Sequence, residues 1–226
     1  MTKIAVLFDL DGTLFDTMPD FVYIFNLMLQ QRGQPSMTDL DSFRVIISKG
    51  NAAMIENALG LNEQHPEFKT ISDEFVKHYV DVRGRYSNLF AGFMEVFSAL
   101  DSQHIPWGIV TNRMEANIAP FLKNFDLHDR AHCLVGADTA GRGKPHPDSL
   151  LHAAKLLHVP PEHCFYVGDF STDIIAAKAA GMKSVAAAWG YHGGLADMQS
   201  WQPDYIIETP EELLQIISIT NLNKKR

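Results

Sequence analysis

Short apolar runs recur along the chain, each closed by polar residues: 4–8 (IAVLF), 107–110 (WGIV), 132–135 (HCLV), 164–167 (CFYV), 184–188 (SVAAA) and 205–207 (YII). Runs of this length, apolar throughout rather than alternating, predict strands buried on both faces. From residue 91 onward, segments with helical spacing separate them. Phe93, Val96, Phe97 and Leu100 form one such stripe, and Leu150, Ala153, Ala154 and Leu157 another. Strand and helix in alternation predict a parallel sheet covered on both faces. The fold class expected is therefore α/β, a doubly wound sheet with a Rossmann-type core.

Residues 17–90 break the alternation, with helical periodicity and almost no strand signal. Thr17 and Asp20 form a Thr-x-x-Asp capping pattern with Pro19 in the first turn, so a helix is expected to begin there. Its sequence, FVYIFNLMLQQ, is apolar around most of its circumference, which predicts burial on more than one side. Further helices are expected over 38–48, 50–59 and 66–83, the last with Phe68, Ile71, Phe75 and Tyr79 on one stripe. The organisation predicted is a core domain of residues 1–15 and 91–226, interrupted by a helical domain of residues 16–90.

Composition narrows this picture. A chain of 226 residues with 46% hydrophobic content can bury one large core and carry an insertion without covalent staples. Cys133 and Cys164 each sit inside an apolar run, which predicts buried small hydrophobes in a reducing compartment, not a disulfide or a thiolate zinc site. The start MTKIAVLF fits neither a signal peptide nor a transit peptide, and no apolar stretch approaches the length of a membrane span. A cytoplasmic protein without a membrane partner is expected. The formal net charge of -8 argues against nucleic acid as a partner, and the basic NLNKKR at the end reads as a solvated tail. An anionic substrate would then have to be met by a local positive charge, either a metal ion or a few placed lysines.

Candidate chemistry lies where the strands end. Asp9 and Asp11 follow the first strand, two positions apart, beside Gly12. Asp and Gly favour turns, but a carboxylate at the end of a buried strand is costly unless a cation or hydrogen-bond donors meet it. Hard divalent ions take such oxygen ligands. After WGIV come Thr111, Asn112 and Arg113; a loop delivers Gly143-Lys144-Pro145; and after CFYV come Gly168, Asp169 and Asp173, leading into a helix expected to stop at Gly181. Open parallel sheets bind ligands beyond the carboxyl ends of their strands, so these groups are expected to converge. The GRGK stretch is not a nucleotide-binding P-loop, because Pro145 stands where Ser or Thr is required, and no dinucleotide-binding glycine pattern follows the first strand.

Taken in order across nearly the whole chain, Asp9-Leu10-Asp11-Gly12-Thr13, Thr111, Lys144 before Pro145, and Gly168-Asp169 with Asp173 resemble the haloacid dehalogenase superfamily of phosphotransferases. The resemblance implies that Asp9 attacks phosphorus and forms an aspartyl-phosphate, and that Asp11 acts as general acid and then general base. It implies Mg2+ held by the Asp9 carboxylate, the Asp11 carbonyl and the Asp169 carboxylate. Thr111 and Asn112 would donate to phosphate oxygens, Lys144 would supply fixed positive charge that restrains Asp9, and Asp173 would orient metal-bound water or Lys144. The insertion resembles the helical cap of the phosphoglycolate phosphatase-like branch. Within it, Ser48-Lys49-Gly50-Asn51 is the most polar break, ahead of a helix expected to begin near Ala52, and reads either as a contact for an anionic or polar substrate through Lys49 and Gly50 or as an ordinary turn between helices. The chain is also similar to bacterial N-acetylmuramic acid 6-phosphate phosphatases. Both leaving groups carry a carboxylate, which Lys49 or Arg113 would pair. The expected substrate is a small phosphorylated metabolite, handled by a monomer or homodimer. A sugar phosphomutase and a non-catalytic phosphate-binding protein of the same fold stay open as alternatives, while Asp11 and Asp169 argue against a true dehalogenase.

Overall fold

A computed structural model describes residues 3–223; Lys224, Lys225 and Arg226 of the basic tail lie outside the described residues. Along the chain the elements are β1 (Ala5–Phe8), β2 (Phe15–Asp16), α1 (Met18–Gln31), α2 (Leu40–Ile47), α3 (Asn51–Leu59), α4 (Phe68–Val82), β3 (Asn88–Leu89) and α5 (Phe93–Ser102). There follow β4 (Trp107–Val110), α6 (Glu115–Lys123), β5 (Leu134–Val135), α7 (Asp148–Leu157), β6 (Cys164–Gly168), α8 (Ser171–Ala179), β7 (Lys183–Ala187), α9 (Leu195–Ser200), β8 (Tyr205–Ile207) and α10 (Glu212–Asn223). Two units result, Met1–Phe15 with Leu89–Arg226, and Asp16–Asn88. The chain leaves and re-enters the first unit inside the two-residue strands β2 and β3. Re-entry at Leu89 comes slightly ahead of the expected residue 91. Within the first unit the Phe90 N–H donates to the Leu14 carbonyl at 2.9 Å, tying the two passages together.

In the α/β unit the strands lie in the order β5-β4-β1-β6-β7-β8, every pair parallel. Helices α5 and α6 lie on one face of the sheet and α7 and α8 on the other. The first face packs Phe93, Val96, Phe97, Leu100, Ile118 and Phe121 against β1 and β4. There Phe97 stacks on Trp107 at 4.1 Å, and Phe8 meets Phe93 edge-on at 5.7 Å. The opposite face buries Leu150, Ala153, Leu157, Ala176 and Ala177 beside Leu7 and Tyr166. From β1 the chain winds outward through β4 to β5, then returns to the other side of β1 as β6. The sheet therefore reverses winding between β1 and β6, the position where such sheets open a crevice for ligands. The Asp9 N–H donates to the Val167 carbonyl at 2.9 Å, which carries the β1–β6 ladder one step past the end of β1.

One strand is shorter than its apolar run. HCLV narrows to Leu134–Val135, which pair with Ile109 and Val110. This strand is at the sheet edge, with β4 as its one partner, so its first half is held only by contacts such as the His132 N–H to the Trp107 carbonyl at 2.8 Å. Both cysteines are buried and unlinked, and burial pushes each thiol up to about 12. Among the described residues no helix is long and apolar enough to cross a membrane.

In the helical unit, α1 buries Phe21, Ile24, Phe25, Met28 and Leu29, while Tyr23 stays 40% exposed. That spacing is a single face, so the expected burial on more than one side does not occur. An aromatic stack fills the unit: Phe25 lies on Phe75 at 5.1 Å and Phe21 on Tyr79 at 6.0 Å. On α4, Ile71, Phe75 and Tyr79 are buried and Phe68 only partly.

The expected cap at the start of α1 is also corrected. Thr17 occupies the cap position without a side-chain cap bond, and Asp20 turns away from the helix end. Its buried carboxylate instead accepts the Gly84 N–H at 2.5 Å, the Tyr86 N–H at 2.7 Å and the Ser87 hydroxyl at 2.7 Å. Three donors for one buried carboxylate outweigh the single bond a cap would make. Asp20→Ala leaves these donors unmet, so urea unfolding is expected to show a loss of about 3 kcal/mol. A loss under about 0.5 kcal/mol would mean that the 84–87 turn is held by other contacts.

Candidate active site

Four strand ends and one loop of the α/β unit deliver the site. Asp9 follows β1, Thr111 follows β4, Asp169 follows β6 and Trp189 to Tyr191 follow β7, while Lys144 arrives on the loop between β5 and α7. Asp9, Lys144, Asp169 and Asp173 are each buried. The carboxylates of Asp9, Asp169 and Asp173 bring one oxygen each within 4.8 Å of one another.

Lys144 is the hub. Its Nζ lies 2.6 Å from Asp9 Oδ1 and 2.7 Å from Asp173 Oδ1, and it donates to the Tyr166 hydroxyl at 2.9 Å. Three oxygens thus surround the ammonium. The Asp9 contact is an ion pair whose angle departs from hydrogen-bond geometry. Tyr166 gives its proton to the Val110 carbonyl at 2.8 Å, so toward Lys144 it can only accept. Asn112 fixes the same lysine through its main chain: Oδ1 accepts the Lys144 N–H at 2.8 Å, and the amide donates to the Lys144 carbonyl at 3.0 Å.

Asp169 is clamped from two sides. Oδ1 accepts the Thr13 hydroxyl at 2.8 Å and Oδ2 accepts the Tyr191 N–H at 2.6 Å. Gly12 makes this possible, with φ at +78° and a position where any Cβ would run into the Asp169 carboxylate. Asp173, in the first turn of α8, accepts the Phe170 N–H at 3.0 Å on Oδ2, which leaves Oδ1 for Lys144. Both of its oxygens are thus engaged.

Three buried carboxylates face one ammonium, an excess of negative charge that must be protonated or met by a cation. Burial pushes Asp9 up to about 7 although Lys144 pulls it back, and Asp173 and Asp11 push it further. Asp169 is raised well above its ordinary value by burial and then by the charges of Asp173 and Asp9. All-oxygen donors, excess negative charge and rigid support fit a hard metal cation. Asp9 and Asp169 would hold it.

Asp11 takes a different partner. Its carboxylate receives Arg113 Nε at 2.7 Å and Nη2 at 2.5 Å. The guanidinium carbon sits 4.5 Å from the centre of the Phe121 ring. Thr111 Oγ1 accepts the Arg113 N–H at 3.2 Å, so the hydroxyl proton of Thr111 remains to be donated elsewhere.

Residues 6–187 match the haloacid dehalogenase-like hydrolase family. The chain is a member of that family. The hydrolase is 42% identical over 209 residues to a phosphoglycolate phosphatase of Xanthomonas campestris pv. campestris, covering 92% of this chain and 94% of that one. It is 33% identical over 213 residues to an N-acetylmuramic acid 6-phosphate phosphatase of Pseudomonas putida, covering 94% and 95%. Among solved structures it resembles a predicted phosphoglycolate phosphatase from Haemophilus somnus, with a TM-score of 0.84, 25% identity and coverage of 96% and 98%.

In the hydrolase, Asp9, Thr111, Asn112, Lys144, Asp169 and Asp173 come together, with Asp11 and Arg113 paired beside them. Lys49 and Gly50 belong to the helical unit, exposed between α2 and α3, where Gly50 caps α3 with φ at +90°. Asn112 has a further task that was not expected, holding the Lys144 main chain with its Oδ1 and one of its two amide N–H groups. Tyr166 was hidden in an apolar run, where its ring matches the strand pattern and its hydroxyl leaves no trace. Tyr166→Phe removes one acceptor from Lys144 and the donor to Val110. Turnover by the hydrolase is expected to fall about 10-fold with KM within about twofold, the pattern of a support residue behind a reacting group. A fall carried by KM alone would remove Tyr166 from that role.

Proposed function

We propose that the chain is a Mg2+-dependent phosphatase that hydrolyses a small phosphomonoester carrying a carboxylate, phosphoglycolate foremost. The observation that carries this reading is Asp9, placed where the sheet reverses winding, ion-paired to the buried Lys144 and flanked by the clamped Asp169. Relatedness to phosphoglycolate phosphatases over most of the chain supports the substrate.

In this reading Asp9 attacks phosphorus and forms the aspartyl-phosphate, releasing the alcohol; water then attacks phosphorus and frees phosphate and Asp9. Asp9 and Asp169, with the Asp11 carbonyl, would hold Mg2+, which supplies charge neutralisation to the phosphoryl oxygens when bound. Lys144 keeps Asp9 in place and lowers its basicity. Buried between Asp9 and Asp173, it acts as a fixed charge behind the nucleophile, and Asn112 and Tyr166 position it. Thr111 donates its hydroxyl proton to a phosphoryl oxygen. Asp11 protonates the leaving oxygen and then takes a proton from water.

The test is phosphate release from phosphoglycolate, N-acetylmuramic acid 6-phosphate and glucose phosphates, with and without Mg2+. Magnesium-dependent release fastest from phosphoglycolate is the expected result. Release fastest from the muramic acid ester would reassign the substrate, and phosphoryl transfer between sugar positions without free phosphate would replace the hydrolase reading with a mutase.

A further inference from the structure

We infer that the Arg113 guanidinium is the receptor for the substrate's carboxylate, and that Asp11 occupies this receptor until substrate displaces it. Presupposing the phosphatase reading above, this names the group that selects the leaving alcohol.

The first support is fit. Arg113 presents Nε and Nη2 to both oxygens of Asp11, the side-on fork geometry in which a planar guanidinium recognises a carboxylate. A carboxylate is therefore already accommodated at this edge. The second is rigidity. The guanidinium lies over the Phe121 ring, and the Arg113 main chain is held on both sides, its N–H by Thr111 Oγ1 and its carbonyl by the Ala137 N–H at 2.9 Å. Thr111 and Arg113 thus form one stiff segment. A phosphoryl oxygen on the Thr111 hydroxyl and a carboxylate on the Arg113 fork would be read at a fixed separation, which excludes leaving groups with the acid at the wrong distance.

The third support is the position of Asp11. Asp11 stands two residues beyond Asp9 in the loop that follows β1. A phosphate dianion arriving at Asp9 crowds Asp11 with further negative charge. The side chain of Asp11 is 21% exposed against 9% for Arg113, so Asp11 has water to move into while the arginine stays fixed. One fork edge cannot serve two carboxylates. When the substrate's carboxylate takes it, Asp11, until then the ionised partner of the guanidinium, is released beside the phosphoryl group. The negative charge there favours its taking a proton from water, and it then gives that proton to the ester oxygen. A substrate without a carboxylate leaves Asp11 parked, so the acid should improve turnover as well as binding.

The experiment compares phosphoglycolate with ethyl phosphate, which lacks only the acid, in wild type, Arg113→Gln and Arg113→Lys. In wild type phosphoglycolate should be favoured in kcat/KM by about 100-fold, with kcat sharing in the preference. In R113Q that preference should collapse to within about threefold, with R113K intermediate because an ammonium lacks the fork. Glycolate should inhibit wild type competitively and ethylene glycol should not. R113Q should lose inhibition by glycolate while keeping inhibition by inorganic phosphate. An equal loss on both esters in R113Q would reduce Arg113 to a support for Asp11 and overturn the inference. Wild type with no preference between the esters, or no inhibition by glycolate, would overturn it without any variant, even with phosphatase activity intact. Wild type releasing phosphate from neither ester would sink the phosphatase reading itself.

Discussion

Replacing Asp9 with Asn is expected to lower phosphate release by at least about 10,000-fold, because the amide oxygen is a poor nucleophile and the two buried carboxylates beside it are held in place. Asp169 and Asp173 are carboxylates too, but Thr13 and Tyr191 hold the first, and Phe170 and Lys144 hold the second. Neither can turn toward phosphorus without breaking its supports. The substitution is nearly isosteric and removes one of three buried negative charges. Lys144 keeps Asp173 as its ionic partner, so without metal the thermal midpoint of D9N should equal or exceed that of wild type. Residual turnover above about one part in a thousand, in protein free of wild-type contamination, would take the nucleophile's role away from Asp9.

Removal of Mg2+ is expected to have the next largest effect, abolishing turnover by about 1,000-fold or more, and to change stability with a defined pH dependence. Burial holds Asp9 at about 7 in the metal-free protein, against 3.8 as its ordinary value. The raised folded value means that the native state binds more protons than the unfolded chain between pH 3.8 and about 7. Stability from this group is therefore fully present below pH 3.8, is lost as pH rises, and levels off above about 7. Asp169 shifts in the same direction. The whole loss is on the order of 4 kcal/mol for Asp9 alone. A bound cation requires the ionised acids, so it opposes this loss where the loss is greatest. Thermal midpoints with Mg2+ and with chelator should differ little at pH 5 and widely at pH 7.5. The same gap at both pH values would contradict a site built on Asp9 and Asp169.

Much of the site was legible because backbone topology places it. Asp9, Thr111 and Asp169 each follow a buried apolar run, and in a parallel sheet the ends of such runs must meet. The pairings among side chains were not legible, since they depend on rotamers and on contacts between distant positions. The second task of Asn112, holding the main chain of Lys144 with its Oδ1 and one of its two amide N–H groups, left no sign in the sequence, because it crosses a loop whose shape no periodicity describes. Arg113 looked like a group for the substrate, and its engagement with Asp11 joins residues from two different strand ends. Asp20 failed as a cap for a similar reason: a local pattern lost to a turn much later in the chain that offered it three donors. The edge strand β5 came out short because apolar content alone does not tell a central strand from an edge one.

The interruption of the α/β unit by Asp16–Asn88 has a consequence for biogenesis. The inserted segment is contiguous, so during synthesis it can close on itself as soon as it leaves the ribosome, whereas β1 must wait for both of its sheet neighbours, β4 and β6. Until then Asp9 is an acid at the end of an unpaired apolar strand, with neither Lys144 nor a cation to accompany it. The catalytic apparatus therefore has to wait for β6 and Asp169, which emerge after the whole of Asp16–Asn88.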